Sequence, residues 1–239
     1  MSARTGGPWR RLPSAARATY AGGVGNEFSP LAPHEPLGIV ALSGPVEPRR
    51  LARGLEALAA TGHPLEPAPN LHHRKGYLAG DDTGRLEGLL HVLDRGARVV
   101  LAARGGFGVS RLLDRLPWDR LVREGVTFVG FSDLTALAAP LLARGGAVQV
   151  HGPMVGVGVE RTENLRRLLA VLRGELRGRP LFRFGRRAVV RPGRARGPAL
   201  GGNLTVLCSL LGTPWEPRGT GPCSSWRRWG SRSTGWTGC

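Results

Sequence analysis

Lysine is nearly missing from this chain. Of 34 basic residues only Lys75 is a lysine, and the rest are arginine. Such a skew follows from GC-rich coding DNA, where arginine codons are common and lysine codons rare. A surface built to hold nucleic-acid phosphates would mix in lysine and interleave aromatics, yet aromatics make up only 6% of the residues. Cysteine is scarce too. Cys208, Cys223 and Cys239 are odd in number and lack metal-ligand spacing, which argues against a disulfide framework and against a zinc site. No apolar run is long enough to cross a bilayer. Met1 to Tyr20 is basic without the apolar stretch or cleavage site of a signal peptide. A cytoplasmic address with no membrane partner is the expectation.

What remains is a globular composition. The 239 residues, 41% apolar, suffice for one or two domains with proper cores. The net charge of +17 is unevenly spread. Residues 38–172 hold 17 basic and 13 acidic side chains, whereas residues 173–239 hold 13 against 2. The excess therefore lies outside the region that reads as a folded core, and no nucleic-acid partner is expected. A basic binder using Arg173–Arg196 is the rival reading.

Regular structure begins at Leu37. Residues 1–37 are rich in Gly, Pro, Ala and Arg without a sustained period and read as a loose extension. Leu37 to Ser43 is a short apolar run closed by Gly44-Pro45, the pattern of a buried strand. Glu47-Pro48 opens a helix with Leu51, Leu55 and Leu58 on one face and Gly62 as its stop. Asp81 and Asp82 are candidate caps for a helix carrying Leu86, Leu89, Leu90 and Leu93. Ala97 to Ala103 reads as a strand, Val109 to Leu116 as helical, and a further helical stretch follows Pro117. Val126 to Phe131 is a third strand, Leu134 to Ala143 a helix, and Ala147 to Val150 a fourth strand. Strands and helices alternating at this spacing predict an α/β domain with a parallel sheet covered on both faces.

The remainder is different in kind. Arg173 to Arg196 contains nine arginines and a single acid, Glu175, which suggests a linker and the first strands of a second domain. Gly201-Gly202-Asn203 leads into Leu204 to Leu211, a buried helix by its apolarity. Residues 218–239 hold no acid, no Leu, Ile or Val, and three of the six tryptophans.

Three strand ends carry chemistry. Gly130-Phe131-Ser132-Asp133 places a serine between a buried parallel strand and a helix, at the sheet edge where α/β proteins put their sites. It resembles a nucleophile elbow, with Leu134 where the usual motif has glycine; a helix cap at Ser132 or Asp133 is the plainer alternative. Arg104-Gly105-Gly106-Phe107-Gly108 ends another strand. Its glycines would let a ligand approach the backbone and could complete an oxyanion hole, although a glycine turn alone is often only a turn. His151-Gly-Pro-Met154 puts a histidine at the sheet edge, either as a base or as a hydrogen-bonded structural group. His72-His73 has no carboxylate or cysteine at ligand spacing.

Together these motifs resemble the LD-carboxypeptidase family (peptidase family S66, the muramoyltetrapeptide carboxypeptidases). The matching pieces are Ile39-Val-Ala-Leu-Ser-Gly-Pro45, Leu101 to Gly108 with Arg111-Leu112-Leu113, Val129-Gly-Phe-Ser-Asp-Leu-Thr-Ala-Leu137, His151-Gly-Pro-Met154, and Gly201-Gly-Asn-Leu204 through Leu211-Gly-Thr-Pro-Trp215. They stand in family order over residues 38–217. The resemblance implies an N-terminal three-layer parallel-sheet domain of class I glutamine amidotransferase type at 38–172. A smaller C-terminal α/β domain would begin at 173–217 and be cut short. Ser132 would be the nucleophile, and the backbone N–H of Asp133, with Gly105 or Gly106, the oxyanion hole. Arg104, Phe107, His151 and Asn203 would line the substrate. The family cleaves the L-to-D bond of murein tetrapeptide to release D-alanine, in peptidoglycan recycling and without cofactor or metal; relatives tend to be homodimers. One branch hydrolyses peptidyl-nucleotides such as microcin C.

The family's glutamate and histidine lie beyond the Gly-Thr-Pro-Trp segment, where this sequence has Glu216 and no histidine. Impaired catalysis, or a non-catalytic peptide-binding remnant, is therefore expected. Ser225-Trp-Arg-Arg-Trp-Gly230 read one base later from GC-rich codons becomes Leu-Glu-Glu-Val-Gly, the type of segment that carries the family's glutamate. The expectation is a frameshift between Pro217 and Ser225, making 218–239 an out-of-frame tail.

Overall fold

The computed structural model describes residues 29–145, 148–176, 179, 185 and 200–216. Among these residues five strands form one sheet: β1 (Leu37–Val40), β2 (Leu65–Pro67), β3 (Val99–Ala102), β4 (Thr127–Val129) and β5 (Val148–Val150). All neighbours are parallel, in the order β2-β1-β3-β4-β5. The central strands β1, β3 and β4 are buried along their whole length, which is why they read as unbroken apolar runs. The α/β parallel-sheet fold expected from the sequence is the fold observed.

Among the described residues six helices accompany the sheet: α1 (Pro48–Ala59), α2 (Asp82–Asp94), α3 (Trp118–Arg123), α4 (Thr135–Arg144), α5 (Thr162–Leu172) and α6 (Leu204–Ser209). The strand order reverses direction between β1 and β3. With right-handed crossovers α1 then covers one face, and the helices leading to β3, β4 and β5 cover the other. Glu47 caps α1, accepting from the N–H groups of Arg49 and Arg50, with Pro48 in the first turn. Of the two candidate caps for α2, Asp81 does the capping, through the Gly84 N–H. Asp82 instead pairs with Arg85 and Arg111.

Several readings need correction. β2 went unseen because it is three residues long, lies at the sheet edge and contains Pro67. The helical stretch expected at Val109–Leu116 is a single 3₁₀ turn at Val109–Leu112. The helix expected to be buried over Leu204–Leu211 is the short α6, with only Leu207 and Leu210 buried around it and Leu211 52% exposed. Nor is the end of the N-terminal extension loose. Leu31 is buried, its N–H donates to the Leu172 carbonyl at 2.7 Å, and Glu35 pairs with Arg98 at 2.9 Å. Residues 1–28, most of 177–199 and the tail from 217 onward fall outside the described residues. The expected second-domain strands and out-of-frame segment therefore do too.

Candidate active site

The carboxyl ends of β1, β3 and β4 meet where the strand order reverses, the place at which open α/β sheets form their clefts. After β1 the chain turns at Ser43-Gly44. After β3 it turns at Arg104 to Gly108. The Gly44 N–H donates to the Gly105 carbonyl at 3.2 Å, so the two turns are joined by their backbones.

After β4 comes Ser132, with φ of +62°. Among the described non-glycine residues only His34 shares a positive φ. An L-residue in this region costs about 1–2 kcal/mol. Neither Ser132 nor Asp133 caps a helix: Phe131 precedes the 3₁₀ turn Ser132–Leu134, Leu134 precedes α4, and neither boundary has a side-chain cap. The cap alternative is thereby removed, and the strained serine remains to be explained. Leu134, in the place of the usual glycine, is buried below the turn, and a Cβ at Gly130 would meet its Cδ2 at 2.7 Å.

Gly105 faces the serine. A Cβ built there would lie 3.0 Å from Ser132 Cβ and 3.2 Å from its Oγ. At Gly106, with φ of +133°, a Cβ would lie 3.1 Å from the Gly44 nitrogen. The N–H groups of Gly105, Gly106 and Asp133 donate no hydrogen bond to any described residue. Ser132 is half-buried, and its Oγ likewise has no hydrogen-bond partner among the described residues. The Asp133 side chain is buried and turned away from the serine. Its Oδ2 accepts from Ser43 Oγ at 2.6 Å and from the Val109 N–H at 3.0 Å, linking the segments after β1, β3 and β4. Ser43 is the site residue that sequence reading missed. It closes an apolar run, and nothing local marks a partner 90 residues away.

The remaining candidates scatter around this centre. Arg104 is exposed and donates to the Pro45 carbonyl at 2.9 Å. Phe107, 49% exposed, meets Tyr77 edge-on with ring centroids 5.9 Å apart. His151 packs its ring against Phe131 at 5.9 Å and makes no hydrogen bond with Ser132. Partial burial lowers its pKa below the usual imidazole value, although the residue as a whole is exposed. Asn203 lies at the cap of α6, accepting from the Val206 N–H while its own N–H donates to Thr135 Oγ1 at 3.0 Å. It is thus held against the first turn of α4. Among the described residues no three His, Cys, Asp or Glu side chains converge as metal ligands, and no helix is long and apolar enough to cross a membrane.

Beside the serine runs an open groove of about 580 Å³, lined by Phe131, His151, Arg50, Arg53 and Arg161 among others. Ser132 itself does not line it. The three arginines were not singled out from the sequence, where each sits in an ordinary helical or turn context.

A strained serine after a buried parallel strand, faced by a glycine turn whose N–H groups at Gly105 and Gly106 have no described partner, has the layout of a nucleophile elbow in an α/β domain. Residues 37–152 match the LD-carboxypeptidase N-terminal domain of peptidase family S66. A Streptomyces coelicolor protein bearing a provisional carboxypeptidase name is 42% identical over 77% of this chain and 61% of its own length. A murein tetrapeptide carboxypeptidase of Pseudomonas aeruginosa is 35% identical over 59% of this chain and 48% of that protein. Among solved structures, muramoyltetrapeptide carboxypeptidase from Oxalobacter formigenes aligns with a TM-score of 0.57 at 26% identity, covering 77% of this chain and 62% of that one. A variant of microcin C7 self-immunity protein, solved with adenosine monophosphate, aligns at 0.67 and 22% identity over 80% and 67%. That last likeness is one of fold. The chain spans 61% and 48% of the lengths of the two sequence relatives.

Proposed function

We propose that this chain supplies the nucleophile-bearing domain of a cytoplasmic serine LD-carboxypeptidase. Its reaction is hydrolysis of the L-to-D peptide bond of murein tetrapeptide, releasing D-alanine during peptidoglycan recycling. The observation that carries the reading is Ser132, strained at +62° directly after β4 and packed against Gly105. In the reaction Ser132 Oγ attacks the scissile carbonyl carbon while its proton passes to a base. The carbonyl oxygen becomes an oxyanion, received by the Asp133 N–H and by that of Gly105 or Gly106. Collapse breaks the C–N bond, protonated D-alanine leaves, and water hydrolyses the acyl-serine. No cofactor enters this sequence of steps.

The weak point is the base. Ser132 Oγ has no partner among the described residues. The family resemblance places the histidine and glutamate that serve as the base after Trp215, outside the described residues. Without such a base, turnover falls by several orders of magnitude. The same orphaned hydroxyl favours a second reading, a domain that binds the peptide without cleaving it. Incubating the full chain with murein tetrapeptide and quantifying free D-alanine separates the two. Slow release abolished by Ser132→Ala supports the enzyme. Binding without release, unchanged by Ser132→Ala, supports the second reading.

A further inference from the structure

The groove beside Ser132 has an unusual charge budget. Arg50 and Arg53 stand one turn apart on α1, on the same helix face. Arg161 faces them from the turn before α5. None of the three side chains makes an ion pair or a hydrogen bond among the described residues. Elsewhere in the fold, Arg85, Arg98, Arg111, Arg120, Arg166 and Arg167 all have carboxylate partners. The lining holds one acid, Glu160, which offsets one of the three positive charges and leaves an excess of two.

The groove also continues. A second hollow of about 380 Å³ shares Arg50, Gly156 and Val157 with the first and adds Arg74 and Arg104, the latter next to Gly105. Its one acid, Glu47, is committed to capping α1. The common floor at Gly156 is closely packed, since a Cβ there would meet Val46 Cγ2 at 2.5 Å and the Ala103 carbonyl oxygen at 3.0 Å. The result is a long trough with cationic forks along it, leading to the glycine turn that faces Ser132.

Guanidinium groups are planar forks that match carboxylates in two-point contact. The elongated shape suits a chain bearing several carboxylates better than a compact phosphate. The aromatic ring available for stacking a base, Phe131, already packs against His151. We propose that this trough binds the acidic side groups of an extended peptide, with Arg50, Arg53 and Arg161 as the carboxylate-binding residues. The inference deepens the carboxypeptidase reading and rests on it for the direction of the peptide toward Ser132.

Calorimetric titration of the full chain tests it, using the peptide Ala-Glu-Glu-Ala, its neutral counterpart Ala-Gln-Gln-Ala, and adenosine monophosphate. The glutamate peptide should bind, and the glutamine peptide should bind about tenfold more weakly or worse. Arg50→Gln, Arg53→Gln and Arg161→Gln should each weaken the glutamate peptide several-fold without shifting the melting temperature. Arg166→Gln, which removes an equal charge from the outer face of α5, should leave binding unchanged. Equal affinity for the two peptides, a matching loss in Arg166→Gln, or tighter arginine-dependent binding of adenosine monophosphate would each overturn the proposal. Ser132→Ala should keep binding of the glutamate peptide. Binding by the unsubstituted chain with no D-alanine release from murein tetrapeptide removes the catalytic reading alone. Release that proceeds unaltered in the three arginine variants removes the trough proposal alone.

Discussion

At the scale of single residues, the site depends on what is small and what is buried. Gly105 leaves room for the serine hydroxyl because it has no Cβ. Gly105→Ala should therefore displace Ser132 or close the space an oxyanion would occupy. The expected outcome is loss of D-alanine release by about a hundredfold or more, the scale of a lost oxyanion contact, with thermal stability nearly intact. A comparable drop in stability would instead mark Gly105 as a packing residue. Ser43 acts through Asp133. Removing its hydroxyl leaves a buried carboxylate with one donor, the Val109 N–H, where it had two. Ser43→Ala should cost about 1–3 kcal/mol in urea unfolding, and Ser43→Thr should recover part of it. The serine at 132 was legible because an unbroken apolar run delivers the chain to it. The role of Asp133 was not, because its partners come from two other strand ends.

At the scale of elements, two devices hold the site's surroundings. The first is the start of α2. Arg85 is fully buried and donates to the Leu42 carbonyl, immediately before Ser43. Asp82 lies between Arg85 and Arg111, and those contacts, Arg111 foremost, hold its carboxyl down at about 2. The folded-state pKa is thus below the usual carboxylate value. Its stabilisation is complete above that usual value, near neutral pH, and fades as pH falls through about 4 toward 2. Asp82→Asn should destabilise the protein by about 2 kcal/mol at pH 7 and by much less near pH 2, read from urea unfolding at each pH. Equal losses at both would show that the ion pairs are not the cause. The second device is the docking of α6. Gly202 has φ of +141°, and a Cβ there would lie 2.5 Å from Thr135 Oγ1. Further on, Trp215 donates to Asp114 at 2.9 Å and lies 5.3 Å from Trp118, with Arg144 over both rings. Gly202→Val should loosen this segment, seen as faster limited proteolysis near α6 and altered tryptophan fluorescence, while the sheet stays folded. Sequence reading took α6 for a buried helix since apolarity alone does not say which neighbours are present to cover it.

At the scale of the whole molecule, the sequence revealed the sheet more readily than its borders. β1, β3 and β4 are central and buried on both faces, so their apolar runs are long enough to read. β2 lies at one edge, is partly exposed and has three residues with a proline among them, which leaves little pattern. β5, as short and at the other edge, was still legible from its Val148–Val150 alternation after Gly145-Gly146. The N-terminal border was misplaced for a related reason. The segment just before β1 has no period of its own, yet it is fixed by tertiary contacts that only the fold supplies. Leu31 fills the core and bonds to the end of α5, and Glu35 bonds to Arg98 ahead of β3. Nearby, buried His63 ties the segment before β1 to the end of α5: its Nδ1 meets the Glu35 carbonyl at 3.0 Å and its Nε2 meets Arg173 at 3.3 Å. A chain beginning at Ser29 should then be more stable than one beginning at Leu37. The buried leucine contributes about 1.5–3 kcal/mol, and the partly exposed ion pair adds at most about 1 kcal/mol. Urea unfolding of the two truncated chains measures the difference. If it lies within error, Leu31 and Glu35 are passengers and the domain begins at β1; if it reaches the leucine's share, the border lies at least six residues earlier, and α5 needs that segment to close the core.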